Sequence, residues 1–339
     1  MHIMPLFGNT IKEIKADGFK FDTVEAVYKK DKAESMAEFA ADSMKGFVKK
    51  LEKTKPDTVI LLGDRAEMLS AAAACLYLCI PTIHIHGGEV TKTFDEIARH
   101  AITKLCTYHI AATEESAERI KRLGEEPSRV KVFGAPGLDS ITKDCSDIAS
   151  TVHYLGIKKK KPILMILQHP ETPRIDKCKK QIKATLEAVK ELGYQTVLIY
   201  PNADSGGRAM IKVIEEYKDS NITRFRSIPR TLYLGLMNLA DVMIGNSSSG
   251  IIEAPCFKLP VVNIGERQKG RQRACNIIDV PAEKDRIIKG IEKSMSSGFK
   301  KSLKNCKSPY GDGKAGQRIV DFLLKTDFNP NDILKSITY

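Results

Sequence analysis

The sequence has no tryptophan, and aromatic residues make up only 6% of it. Its 54 Lys and Arg against 42 Asp and Glu leave a formal charge of +12, which suits an anionic substrate. No basic stretch is interleaved with aromatics, so a nucleic-acid partner is not expected. The densest basic run, Lys158 to Lys161, reads as a solvated linker before a strand. No apolar run approaches a membrane span. Residues 1–20 show no basic n-region followed by an apolar core, so a cytoplasmic protein without membrane contact is expected. The eight cysteines form no CxxC pair, which leaves zinc and redox motifs unsupported and reads as eight reduced thiols. GxGxxG, GxxxxGK[ST] and GxSxG are all missing, which argues against dinucleotide redox enzymes, P-loop NTPases and α/β-hydrolases. His84 and His86 lack a third ligand at a metal-binding spacing, and His84, alternating inward on a strand, reads as a core histidine.

What is present is a strand–helix alternation that runs through the chain twice. Short apolar runs at 58–62, 82–85, 108–112 and 130–133 alternate with helical periodicity at 32–53, 67–79, 94–105 and 115–123. The alternation resumes with strands at 163–167, 196–200, 222–226 and 242–244 and helices at 176–192, 209–217 and 231–239. Late helices are expected at 284–295 and 315–325, and residues 1–10 read as a loop. This is the pattern of doubly wound parallel sheets. The polar stretch 138–161 marks a boundary. The expected domains are 1–150 and 151–310, both Rossmann-like, with C-terminal helices in 311–339 packing back on the first.

One stretch organises the rest: Asp241-Val-Met-Ile-Gly-Asn-Ser-Ser-Ser-Gly-Ile-Ile-Glu253. A buried strand ends at Gly245-Asn246, and three serines of N-cap type suggest that a helix opens there. Free N–H groups and hydroxyls at such a turn can hold an anion. Glu253, about one turn on, can reach vicinal hydroxyls of a ribose, and Arg267 and Arg271 follow the next strand. The plainer alternative is a capped helix in an ordinary α/β domain.

Asp64, His86, Glu89, His169, Asn202 and Ser247 each come just after an expected strand, at the edge where open α/β sheets bind ligands. Carboxylates and histidines near an anion site suit proton abstraction with departure of a phosphate leaving group. Structural alternatives stand beside these roles. Asp64 could cap the helix after it, Asp95 could cap the 95–105 helix, and Arg99 with His100 could be a helix-surface pair.

At these residues a resemblance becomes specific. Gly63-Asp64-Arg65, His84-Ile-His-Gly-Gly-Glu89, Asp95-Glu-Ile-Ala-Arg99-His100, His169-Pro170, Gly245-Asn-Ser-Ser-Ser-Gly250, Asn263-Ile-Gly-Glu-Arg-Gln-Lys-Gly-Arg271 and Tyr310-Gly-Asp-Gly313 resemble the UDP-N-acetylglucosamine 2-epimerase family. The similarity is greatest to the hydrolysing branch that makes N-acetylmannosamine for sialic-acid synthesis. The resemblance implies a GT-B fold with an interdomain cleft, no cofactor, a small-molecule UDP-sugar as partner, and a homodimer or homotetramer. It implies removal of the C2 proton and expulsion of UDP through a 2-acetamidoglucal, to which water adds. Asp64, Asp95 and His169 are implied as catalytic groups, with His86, Glu89 or another residue as the base. Arg65, Asn202, Ser247, Ser248, Glu253 and Arg267 are implied as UDP-sugar contacts. A non-hydrolysing epimerase giving UDP-ManNAc, or one acting on a related UDP-2-acetamido sugar, is the alternative.

In relatives, a strand, a Gly-rich turn with a diphosphate-gripping Arg, and a helix and strand precede the segment matching residues 1–7. The first domain is therefore expected to be incomplete, with weakened activity or an inactive UDP-sugar binder as a consequence.

Overall fold

The computed structural model describes residues 2–30, 33–158 and 162–339. Lys159 to Lys161 of the expected linker, and Lys32 at the expected start of a helix, lie outside the described residues. The chain divides into two compact units, each built on its own parallel sheet.

The four-stranded unit takes residues 21–139, 270–272 and 309–339. Its strands β1 (Val59–Leu62), β2 (Thr82–Ile85), β3 (Tyr108–Ala111) and β4 (Val130–Val132) lie in sequential order. β2, Thr-Ile-His-Ile, is buried along its whole length. β1 was expected to be a buried strand but is an edge strand. Among the described residues only β2 pairs with it, and Ile60 and Leu62 remain 45% and 57% exposed. The Ala66–Tyr77 and Phe94–Leu105 helices cover one face through Ala71, Ala72 and Ile102. The C-terminal Ala315–Lys325 helix covers the other, seating Ile319, Phe322 and Leu323 on Ile83, Ile85 and Ile110. Asp139 accepts the first N–H groups of that helix, from Ala315 at 2.9 Å and from Gly316.

The six-stranded unit takes the described residues up to Lys20, with 140–269 and 273–308. It adds β5 (Ile163–Leu167), β6 (Gln195–Ile199), β7 (Ile222–Phe225), β8 (Val242–Gly245), β9 (Val261–Ile264) and β10 (Ile277–Val280). The order is β10-β9-β8-β5-β6-β7, all parallel. The direction of winding reverses between β5 and β8, and that reversal opens a crevice at the carboxyl ends of the strands.

Four features differ from the sequence reading. The polar stretch expected to mark a domain boundary contains a helix, Ile148–Leu155, whose N-cap Asp147 accepts the Ser150 N–H and whose end is closed by Gly156 in the left-handed conformation. Thr151 and Leu155 bury one side of it, enough to hold a turn-rich, polar segment in place. β10 was not expected, because Ile277–Val280 is short and only half-buried. Besides the expected changes near residues 150 and 311, which fall at Ser140 and Pro309, the chain changes unit after Lys20 and around 270–272. Finally, Cys275 and Cys306 form a disulfide, so six cysteines, not eight, are free thiols. Among the described residues no helix is long and apolar enough to cross a membrane.

Candidate functional site

In the four-stranded unit the candidate residues gather in the turns after β1 and β2. His84 points into the core, with Nδ1 at 3.1 Å from Thr103 Oγ1 and Nε2 at 2.8 Å from the Gly63 carbonyl. Burial pushes its pKa down to about 3, so it is a neutral structural histidine that braces the turn carrying Asp64. Asp64 does not cap the next helix. The N-cap of Ala66–Tyr77 is Arg65, with no side-chain cap bond, and Arg65 Nε instead binds Glu67 at 2.9 Å. The Asp64 carboxylate receives Arg99 Nη2. Arg99, only 2% exposed, also donates Nη1 to the Glu89 carbonyl at 2.7 Å. Arg99 is thus a buried strut between the two turns rather than half of a helix-surface pair. Its neighbour His100 stays near the surface, 3.9 Å from Glu96.

The β2 turn is shaped by Gly87-Gly88. A Cβ on Gly87 would lie 2.9 Å from His84 Nδ1, and one on Gly88, at φ +74°, would overlap the Ser116 carbonyl. The turn holds His86 in the left-handed region at φ +66°, unusual for a non-glycine residue. His86 Nδ1 lies 2.7 Å from Glu89 Oε1. A carboxylate accepts, so Nδ1 carries the proton and Nε2 the lone pair. Burial, then the Arg271 charge, holds the His86 pKa down at about 4, against the opposing pull of Asp64. His86 is therefore neutral and basic at Nε2 near neutral pH. Glu89 is 2% exposed, and its Oε2 faces Arg271 Nη2. Thr93 holds the N-cap position of the Phe94–Leu105 helix without a side-chain cap bond, and Asp95, in the first turn, accepts the Thr93 hydroxyl at 3.0 Å.

In the six-stranded unit, His169 after β5 and Ser247 after β8 flank the point where the winding reverses. Asn246 ties these turns together. Its Oδ1 accepts the His169 N–H at 2.7 Å, and its Nδ2 donates to the His169 carbonyl at 2.9 Å. The Asn202 N–H donates to His169 Nδ1 at 3.1 Å. A backbone N–H can only donate, so the neutral His169 ring carries its proton on Nε2 and is a hydrogen-bond donor there. Gly245, at φ +134°, leaves room for the Leu167 carbonyl, which a Cβ would strike.

The expected helix after Gly245 is a single turn, Ser249–Ile252, followed by the 3-10 turn Ala254–Phe257. One turn sums few peptide dipoles, so an anion there would depend mainly on individual donors. Ser247 Oγ accepts the Ser249 N–H at 3.3 Å, and Ser248 is the N-cap without a side-chain cap bond. Arg267 Nη1 donates to the Asn246 carbonyl at 3.3 Å, and its Nη2 lies 3.9 Å from Asp204. Asn202 Nδ2 binds the same Asp204 at 2.5 Å. Glu253 is held by Arg230 at 2.9 Å; burial raises its pKa more than Arg230 lowers it.

The structure thus brings Asp64, His86 and Glu89 together in one unit, and His169, Asn202, Ser247, Ser248 and Arg267 in the other. Sequence reasoning missed Asn246, Arg99, Arg230 and Arg271 as partners of these groups. Arg99, Asn246 and Arg271 stand in the motifs quoted above, but nothing in their spacing named these partners; Arg230 left no trace. Among the described residues no group of three His, Cys, Asp or Glu side chains is placed to hold a metal.

Two parallel-sheet α/β units of this design belong to the GT-B-like class. The chain superposes on the UDP-GlcNAc 2-epimerase of Neisseria meningitidis bound to UDP-GlcNAc with a TM-score of 0.78 at 19% identity, covering 94% of this chain and 89% of that one. On the Methanocaldococcus jannaschii UDP-GlcNAc 2-epimerase, in complex with UDP-GlcNAc and UDP, the TM-score is 0.72 at 20% identity, covering 86% and 82%. Residues 1–324 match the model of the UDP-N-acetylglucosamine 2-epimerase family, and the chain belongs to that family. Among its curated relatives are the hydrolysing UDP-N,N'-diacetylbacillosamine 2-epimerase of Legionella pneumophila, 40% identical over 96% of this chain and 86% of the relative, and the hydrolysing GDP/UDP-N,N'-diacetylbacillosamine 2-epimerase of Campylobacter jejuni, 36% identical over 89% and 79%.

Proposed function

We propose that the protein is a hydrolysing 2-epimerase of a UDP-2-acetamido sugar. The observation that carries the reading is the His86–Glu89 pair: a neutral imidazole whose Nδ1–H is held by a buried carboxylate, leaving Nε2 as a proton acceptor. In this reading His86 Nε2, assisted by Asp64 and Asp95, removes the proton at C2. The C1–O bond breaks and its electron pair leaves with UDP, giving a 2-acetamidoglucal. Water adds at C1 while C2 is reprotonated on the opposite face, so free 2-epimeric sugar and UDP are released.

The six-stranded unit's donors suit the other product. His169 Nε2–H, Ser247, Ser248 and Arg267 offer hydrogen bonds to a diphosphate on which charge develops. Glu253 is assigned the ribose hydroxyls, and Asn202 and Arg65 are further substrate contacts. The names of the Legionella and Campylobacter relatives favour UDP-N,N'-diacetylbacillosamine as the first substrate to try. UDP-GlcNAc, giving ManNAc, is the second. A homodimer or homotetramer in the cytoplasm completes the proposal.

The test is incubation with each nucleotide sugar in D2O, followed by NMR. The reading expects free UDP in equal amount to a free 2-epimeric sugar deuterated at C2. UDP-ManNAc without free UDP would replace hydrolysis with simple epimerisation. A thermal shift with UDP and no turnover of any substrate would leave only a binder.

A further inference from the structure

A short piece of chain, Gly270–Gln272, leaves the six-stranded unit and packs within the four-stranded one. Three contacts fix it there. Gly270, at φ +85°, lies against Val90, where an added Cβ would come to 3.1 Å. The Arg271 side chain is 9% exposed, with Nη2 against Glu89 Oε2. The Gln272 carbonyl accepts the Tyr310 hydroxyl at 2.9 Å. Tyr310 is 1% exposed, and its own carbonyl accepts the Ala135 N–H at 2.7 Å, so the phenol is a rigid post.

Glu89 therefore stands between two partners, with Oε2 on Arg271 and Oε1 on His86 Nδ1. A carboxylate held by one oxygen alone can rotate, and the imidazole it orients can then flip or change tautomer. Held at both oxygens, it fixes the ring. Resting on the epimerase reading above, we propose that Arg271 is a positioning residue for the proton-transfer step. It locks the Glu89 carboxylate so that His86 keeps its proton on Nδ1 and presents Nε2 to the substrate, and Tyr310 anchors the segment that delivers it. Arg271 needs no contact with substrate to do this.

The charged groups facing His86 are Asp64 from the turn after β1, Glu89 from its own turn, Arg99 from the Phe94–Leu105 helix, and Arg271 from the inserted segment. Removing Arg271 deletes a positive charge and leaves Glu89 free to stabilise the imidazolium. His86 then becomes easier to protonate, and the acid limb of kcat/KM moves to higher pH.

The experiment compares wild type with Arg271→Met, Arg271→Lys and Tyr310→Phe, reading kinetics against pH together with histidine tautomers by long-range 1H–15N NMR. His86 is assigned with His86→Gln. Arg271→Met should lower kcat about tenfold to a hundredfold with little change in KM. Its His86 signals should leave the pure Nδ1-protonated form and titrate at higher pH. Arg271→Lys should restore most of the pH profile, and Tyr310→Phe should show a weaker effect in the same direction.

An unchanged His86 tautomer and titration in Arg271→Met would overturn the proposal, whatever the activity. So would a loss of activity that Arg271→Lys shares in full while its pH profile matches wild type. If Arg271→Met does not fold, Tyr310→Phe and Arg271→Lys decide on the same NMR readout. The NMR does not depend on turnover. A wild type inactive on every UDP-sugar would count against the epimerase reading, while His86 locked by Arg271 would still be visible.

Discussion

Asn246 and His169 grip each other across the reversal of the six-stranded sheet, with the amide of one forming two hydrogen bonds to the backbone of the other. The pairing explains why an asparagine stands between the glycine that ends β8 and the serines. Its side chain supplies one acceptor and one donor to that backbone, and its own main-chain carbonyl receives Arg267 and Gln268. Asn246→Ala would remove both hydrogen bonds to the part-buried His169 backbone, at a cost of about 1 kcal/mol each. The expected result is a clear fall in denaturation midpoint and a weaker thermal shift with UDP. An unaltered UDP response would separate this pairing from ligand binding.

Asp64 and Arg99 form the corresponding pair in the other unit. Asp64→Asn keeps the shape but removes the charge that balances a buried guanidinium. We expect kcat to fall about 10²–10⁴-fold and the protein to lose stability. Asp64→Glu should recover stability better than it recovers rate, because the turn fixes where the carboxylate sits. Rate and denaturation measured on both variants check this.

His84 gives a prediction about acid. Its folded pKa is lowered by burial to about 3, against an ordinary value of 6.5. Between those values the unfolded chain binds a proton that the folded chain does not, so stability rises with pH across that window and falls as pH drops from about 6.5 towards 3. The full effect is of order 4–5 kcal/mol. His86, at about 4, acts in the same direction. Urea denaturation of His84→Asn against wild type between pH 7 and pH 4 should show a flatter curve for the variant.

Glu125 is a buried hub that receives Lys104, His109 and the C-terminal Lys335. Burial pushes its carboxyl up, but the three donors together outweigh this and bring it down to about 2. Lys335 also donates to the Cys106 carbonyl at 2.5 Å. Lys335→Met should therefore destabilise the four-stranded unit by about 1–3 kcal/mol and make the 326–339 segment an early site of proteolysis. Limited proteolysis followed by mass spectrometry reads both effects.

Cys275 and Cys306 are 31 residues apart in sequence. Closing such a loop stabilises by about 3–4 kcal/mol through the unfolded chain. In guanidinium without reductant, a thiol assay should count six groups, and after reduction eight. Cys275→Ser should lower the denaturation midpoint to that of the reduced wild type. Eight thiols without reductant would show the pair open.

How much was legible in the sequence depends on how local each signal is. The strands β5 and β8 are continuous apolar runs, and β2 and β9 are broken only by Thr82, His84 and Asn263, because both faces of a parallel sheet are covered; such runs can be read without knowing their neighbours. Asp64 follows β1, His86 β2, His169 β5 and Ser247 β8, so their place at the strand ends came with the strands. The Ile148–Leu155 helix and β10 were missed because each is short and half-covered, with little periodicity to read.

The sequence alone determined two alternating strand–helix series, the glycines that shape the turns, and which chemical groups stand at the strand ends. Only the tertiary structure decided the partners of those groups: Arg99 on Asp64, Arg271 on Glu89, Asn246 on His169, and Cys275 on Cys306. Each of these joins residues more than 30 positions apart in the chain. Secondary structure follows from side-chain spacing within a few residues, whereas a buried charge finds its partner only when distant turns are brought to the same sheet edge. That is why His86 and Glu89 could be picked out from the sequence as candidates while the contact of Arg271 with Glu89 could not.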